Sequence, residues 1–199
     1  MVRELKCELL PWQEIPELVR RVAKKIKKAN FKPDYIVGIT RGGWIPSVLL
    51  SDELGVKNLL SLKIEHWGIT ARKDKKAHLT IPLNLNLSGK KILLVDDLTD
   101  TGESIQLALK HLKEQNSQEI KVATLIHKAH SKFIPDFYAR KIEQWKWIIL
   151  PWNIKEDLKN LMKNFPQQLN PSEKVIKLEE EFGIKVGREL LQDILKDDY

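Results

Sequence analysis

At 199 residues, 42% of them hydrophobic and 31% charged, the chain has the composition of an ordinary globular protein, long enough for one core with an appendage and short for two full domains. No stretch approaches the ~20 apolar residues that span a bilayer, and a single cysteine, Cys7, excludes an internal disulfide and a cysteine-built zinc centre, so it reads as structural. The net charge of +7 suits either a nucleic-acid binder or an enzyme acting on a polyanionic small molecule, although lysine runs such as residues 20–28 read as solvated helix faces.

The opening run, MVRELKCELLPW, has neither a continuous apolar core nor a small-residue cleavage site, so the cytoplasm is the expected compartment. Ile15, Leu18, Val19, Val22 and Ile26 recur at helical spacing, with Asn30 closing an amphipathic helix. Residues 35–39 form a short β-branched apolar run, a buried strand, which passes through Thr40, Arg41, Gly42 and Gly43 into a helix ending near Leu54. The pattern repeats: a strand at 59–64, a polar stretch at 65–80, a buried strand at 91–95, then a loop and a helix whose Ile105, Ala108, Leu109 and Leu112 share a face. Strands at 121–126 and 137–142 follow. Strands alternating with helices predict an α/β fold, a doubly wound and mostly parallel sheet. From Asn153 onward three short helical segments are expected, with Asn153 and Ser172 as N-caps and Gly183 and Gly187 as breaks. The expected division is therefore a domain over residues 1–152 and a helical C-terminal extension over 153–199.

The sharpest chemical feature is the run from Leu93 to Ser104. A buried strand ends in two carboxylates, Asp96 and Asp97, and a hydroxyl-and-glycine loop then enters a helix. Ligands of open α/β sheets bind at that edge. Amides from Asp100 through Thr101, Gly102, Glu103 and Ser104, with the Thr101 and Ser104 hydroxyls and the helix N-terminus, can cradle a monophosphate. The paired aspartates suit a vicinal diol or a hydrated Mg²⁺. The plainer alternative, an acidic turn capping a helix, is disfavoured by the strand placement. This segment resembles the signature of the type I phosphoribosyltransferases, which bind phosphoribosyl pyrophosphate (PRPP). The resemblance implies that Asp96 and Asp97 take the ribose hydroxyls and metal and that Asp100 to Ser104 bind the 5′-phosphate. It also places Asp100 near purine N7 as proton acceptor, as in the 6-oxopurine enzymes. Glu103 departs from the pattern, since an anionic side chain in a phosphate loop must point away.

Arg-Gly-Gly alone is more often a plain turn. Its position at 41–43, running into Trp44, Ile45 and Pro46, is similar to the pyrophosphate loop of bacterial xanthine-guanine phosphoribosyltransferases. That likeness implies a pyrophosphate-binding, catalytic Arg41 and a non-proline cis peptide at Thr40–Arg41. The basic stretch at 65–80, with His66, Arg72, Lys73, Lys75, Lys76 and His78, connects two strands and by itself reads as a solvated hairpin tip, but in its place it resembles the family's catalytic hood. Single tryptophans usually mean core. Taken together, though, Lys128 at a strand end and Trp147 with Ile148 one strand later resemble the base pocket of the 6-oxopurine enzymes. In that pocket Lys128 donates to O6, Trp147 stacks on the ring and the backbone at Ile148 meets C2. The resemblance spans roughly residues 30–152. It implies an Mg²⁺-dependent purine-salvage transferase, a homodimer, whose partners are PRPP and a purine base, with no membrane or nucleic acid among them. A PRPP-sensing RNA-binding regulator and a phosphoribosyltransferase for another base remain the alternatives.

Overall fold

The computed structural model describes residues 5–66 and 77–196. In chain order its elements are β1 (Cys7–Leu9), a 3-10 turn (Trp12–Glu14), α1 (Ile15–Lys28), β2 (Tyr35–Thr40), α2 (Trp44–Leu54), β3 (Leu59–His66) and β4 (Ala77–Ile81). They continue as β5 (Lys91–Thr99), α3 (Glu103–Glu114), β6 (Glu119–Lys128), β7 (Phe137–Ile142), β8 (Trp147–Ile149), α4 (Ile154–Leu161), a 3-10 turn (Met162–Asn164), α5 (Pro171–Phe182) and α6 (Arg188–Lys196). Two compact units result, one of residues 13–145 and one of residues 5–12 with 146–196.

The larger unit is built on a six-stranded sheet in the order β4-β3-β2-β5-β6-β7. Every pairing in it is parallel except β3 with β4. Parallel strands must be covered on both faces, which is why β2 and β5 are nearly unbroken apolar runs: Ile36, Val37, Ile92, Leu93, Leu94 and Val95 are all fully buried. One layer of cover comes from α3, whose Ile105, Ala108 and Leu112 pack with Val37, Leu62, Ile92 and Leu94. α1 buries Ile15, Leu18, Val19, Val22, Ala23 and Ile26, a stripe of helical period. Two expectations are corrected here. The polar stretch ends earlier than read, because residues 77–80 belong to β4, an antiparallel edge strand whose alternating half-exposed residues carry no apolar run. β5 also runs on to Thr99, so Asp96 and Asp97 sit inside the strand.

In the smaller unit β1 and β8 form a parallel pair, with Cys7 opposite Trp147 and Leu9 opposite Ile149. The N–H of Trp147 donates to the Lys6 carbonyl at 2.9 Å and that of Leu10 to Ile149 at 3.0 Å. This pairing draws residues 5–12 and 146–152 in with the three C-terminal helices, where a boundary after 152 was expected. Ile149, Leu158, Leu178, Leu191 and Ile194 are completely buried in a core of their own. Cys7 lies at its edge, and burial, then the neighbouring Asp157 charge, push its thiol up to about 11, leaving it protonated. α5 is capped by Asn170, not Ser172: the Asn170 side chain accepts from the N–H groups of Ser172 and Glu173, and Glu173 returns the bond to the Asn170 N–H. Gly183, at φ +72°, closes that helix. Among the described residues no helix is long and apolar enough to cross a membrane.

Candidate active site

The carboxyl end of β5 carries the acidic pair. Asp96 Oδ1 accepts the Asp97 N–H at 3.0 Å, and Asp97 Oδ1 accepts the Leu98 N–H at 2.7 Å. Asp97 is buried, at 8% exposure. Burial first, and then the adjacent Asp97 charge, raise the Asp96 carboxyl well above the usual carboxylate range. Two adjacent acidic groups, Asp97 buried and Asp96 partly so, favour either a shared proton or a cation. No cluster of three or more metal-ligating side chains occurs among the described residues.

The loop after β2 is pressed onto this pair. The Thr40–Arg41 peptide is cis, as the resemblance implied. Thr40 Oγ1 donates to the Leu62 carbonyl at 2.9 Å, and the Gly43 N–H reaches the Ile39 carbonyl at 2.8 Å. A Cβ on Gly42 would collide with the Asp97 carboxylate, and one on Gly43 with the Val95 carbonyl. Both glycines are therefore demanded by contact between this loop and the end of β5, with Arg41 exposed beside them. At the entrance to α3, Gly102 takes φ +88° where a Cβ would meet that of Phe133. Thr101 Oγ1 accepts the Glu103 N–H at 3.3 Å, and the Glu103 side chain is exposed on the first turn of α3. Ser104 follows in that turn, partly buried.

A third group forms where β6 ends. Lys128 is almost wholly enclosed, with its side chain 2% exposed, and its Nζ lies 2.9 Å from Asp100 Oδ2. The ring of Trp145 lies 5.0 Å from the same ammonium. His130 Nε2 stands 2.6 Å from Asp100 Oδ1, so both carboxylate oxygens are held. Asp100 and Lys128, assigned separate tasks from the sequence, thus form an ion pair. His130 and Trp145 were missed, and only their short chain distances from Lys128 and Trp147 could have drawn attention to them. Trp147 and Ile148 belong to the smaller unit, where Trp147 Nε1 donates to the buried Asp157 carboxylate at 3.1 Å. Of the hood residues, Arg72, Lys73, Lys75 and Lys76 lie outside the described residues, and His78 is on β4.

Comparison with known proteins gives a consistent picture. A phosphoribosyl transferase domain matches residues 7–157. The chain is similar to a xanthine-guanine phosphoribosyltransferase of Chromohalobacter salexigens, 28% identical over 143 residues that cover 72% of this chain and 82% of that protein. A protein of the same name from Cereibacter sphaeroides is 27% identical over 119 residues, covering 60% and 68%. Among solved structures, a purine phosphoribosyltransferase from Pyrococcus horikoshii superposes with a TM-score of 0.65 at 32% identity, covering 74% of this chain and 94% of that one.

Proposed function

The chain belongs to the phosphoribosyl transferase family, and from that premise we propose that it moves the 5-phosphoribosyl group of PRPP onto a 6-oxopurine, guanine, xanthine or hypoxanthine, giving the nucleoside 5′-monophosphate and pyrophosphate in purine salvage. The observation that carries this reading is the contact between Gly42 and the Asp97 carboxylate, which joins an arginine-bearing loop to an acidic strand end. A substrate with a ribose diol on one side and a pyrophosphate on the other matches that juxtaposition.

Asp96 and Asp97 accept from the ribose hydroxyls, and the turn from Asp100 to Ser104 receives the 5′-phosphate at the N-terminus of α3. Arg41 and the backbone of Thr40 and Gly42 face the pyrophosphate, with Gly43 giving the loop its close approach to the end of β5. Asp100 accepts the proton that the base sheds as it attacks ribose C1, and Lys128 donates to the carbonyl at C6. An ammonium donor there favours an oxo group over the amino group of adenine. Ring stacking by Trp147 and a backbone contact at Ile148 are proposed from the resemblance. Two carboxylates at one strand end, poorly solvated and mutually repelling, also fit Mg²⁺, which takes its remaining ligands from water and substrate phosphates. When bound, the ion would neutralise charge on the departing pyrophosphate. A cytoplasmic homodimer completes the proposal.

The test pairs a base panel with an isosteric double substitution. With PRPP and magnesium, the three 6-oxopurines should be consumed, while adenine, orotate and uracil should not. Asp96→Asn with Asp97→Asn should lower turnover by about a hundredfold or more, the scale of losing preorganised transition-state contacts. Full PRPP-dependent turnover in the double variant would overturn the assignment of the pair.

A further inference from the structure

We propose that His130 is a positioning residue for the proton transfer assigned to Asp100, an inference that rests on the reading above. Asp100 has one oxygen on Lys128 and the other on His130, at 2.9 and 2.6 Å. Lys128 is enclosed and cannot move far, but in the proposed reaction its donor must turn to the carbonyl at C6 while Asp100 turns to N7. A carboxylate held by Lys128 alone would follow its partner. His130, on the turn beyond β6, holds Oδ1 from the other side, so that Oδ2 is released to the base without loss of orientation. Its ring is 43% exposed, which lets it keep this bond while the base enters on the Lys128 side. Nε2 must carry a proton to donate, in the neutral tautomer or in the imidazolium.

The step balances within the groups named. The base N7–H bond breaks and an O–H bond forms at Asp100 Oδ2. The electron pair released into the imidazole ring makes N9 electron-rich, and a lone pair on N9 bonds to ribose C1 as the C1–O bond breaks and pyrophosphate leaves with the electrons of that C1–O bond.

The experiment uses the full chain, measuring kcat and KM for hypoxanthine and for PRPP with wild type, His130→Ala, His130→Gln and Asp100→Asn, alongside calorimetric PRPP affinity without base and a thermal melt. His130→Ala should lower kcat/KM for the base by about tenfold, the size of one charge-assisted hydrogen bond. PRPP affinity should stay within about twofold, and the amide donor of His130→Gln should recover most of the loss. Wild-type base kinetics in His130→Ala, with Asp100→Asn impaired, would overturn this inference and leave the parent reading intact. So would an equal loss in the glutamine and alanine variants accompanied by weakened PRPP binding, which marks a structural role. No turnover of any 6-oxopurine by wild type would remove the parent reading, and this inference with it.

Discussion

Gly42 shows how little freedom a single position in this site has. Its Cα lies against the Asp97 carboxylate so closely that the first carbon of any side chain would occupy the space of an oxygen. Asp97 cannot yield easily, because it is buried and its Oδ1 already takes the Leu98 N–H at 2.7 Å. The loop must give way instead, and it carries Thr40 and Arg41. Gly42→Ala is therefore expected to raise KM for PRPP by about tenfold or more at a modest cost in stability, on the scale of ~1–3 kcal/mol for overpacking. Gly187 supplies the contrast: a Cβ there would meet nothing within 4 Å, so Gly187→Ala should leave KM for PRPP where it was. Initial rates at varied PRPP for the two variants check the argument. Equal effects, or none at Gly42, would mean that contact with the acidic pair does not matter for binding.

At the scale of elements, β6 shows what alternation along a strand decides. Lys128 reaches Asp100, and its neighbour His127 is carried to the opposite face, where its ring packs at 5.0 Å on Tyr138. His127 is 2% exposed, and its Nδ1 has no hydrogen-bond partner among the described residues. Burial foremost, then the positive charge of Lys141, hold its pKa below the ordinary histidine value. The unfolded chain takes up this proton near pH ~6.5 and the folded chain only at lower pH, so stability is complete above that range and is lost as pH falls through it. His127→Leu should flatten this part of the profile: between about pH 7 and about pH 5 its melting temperature should fall less than that of wild type. Parallel curves would exclude the histidine as the source. Elements of this kind differ in how legible they are. β2 and β5 stand out in the sequence because strands buried on both faces need long apolar runs, and the acidic pair stands out because it ends one of them. β1 and β8 have only three residues each and gain their identity from a partner some 140 residues away, which no local period reveals. Asn170 and Ser172 are both good caps for α5, and Pro171, favoured in the first helical turn, is the residue that decides between them. The bonds joining Asp100, Lys128 and His130 span 28 and 30 residues and were legible only as separate side chains.

For the whole molecule, the net charge of +7 gains a specific meaning once the substrates are proposed. PRPP carries several negative charges and a purine base carries none, so a positive protein attracts only one of its two substrates over distance. Salt shortens that reach, since the Debye length falls from ~10 Å at 0.1 M to ~3 Å at 1 M. Contacts made after arrival are less affected when they are shielded from solvent, as the enclosed Lys128 side chain is. The two Michaelis constants should therefore separate as potassium chloride is raised at constant free magnesium. KM for PRPP should rise about threefold or more between 0.05 M and 0.5 M salt, an expectation from screening, while KM for hypoxanthine moves by less than about twofold because a neutral ligand feels no long-range field. A common rise in both constants would point to a general effect of salt on the fold. A flat PRPP curve would mean that the excess lysines and arginines act as solvated surface alone and contribute nothing to substrate capture.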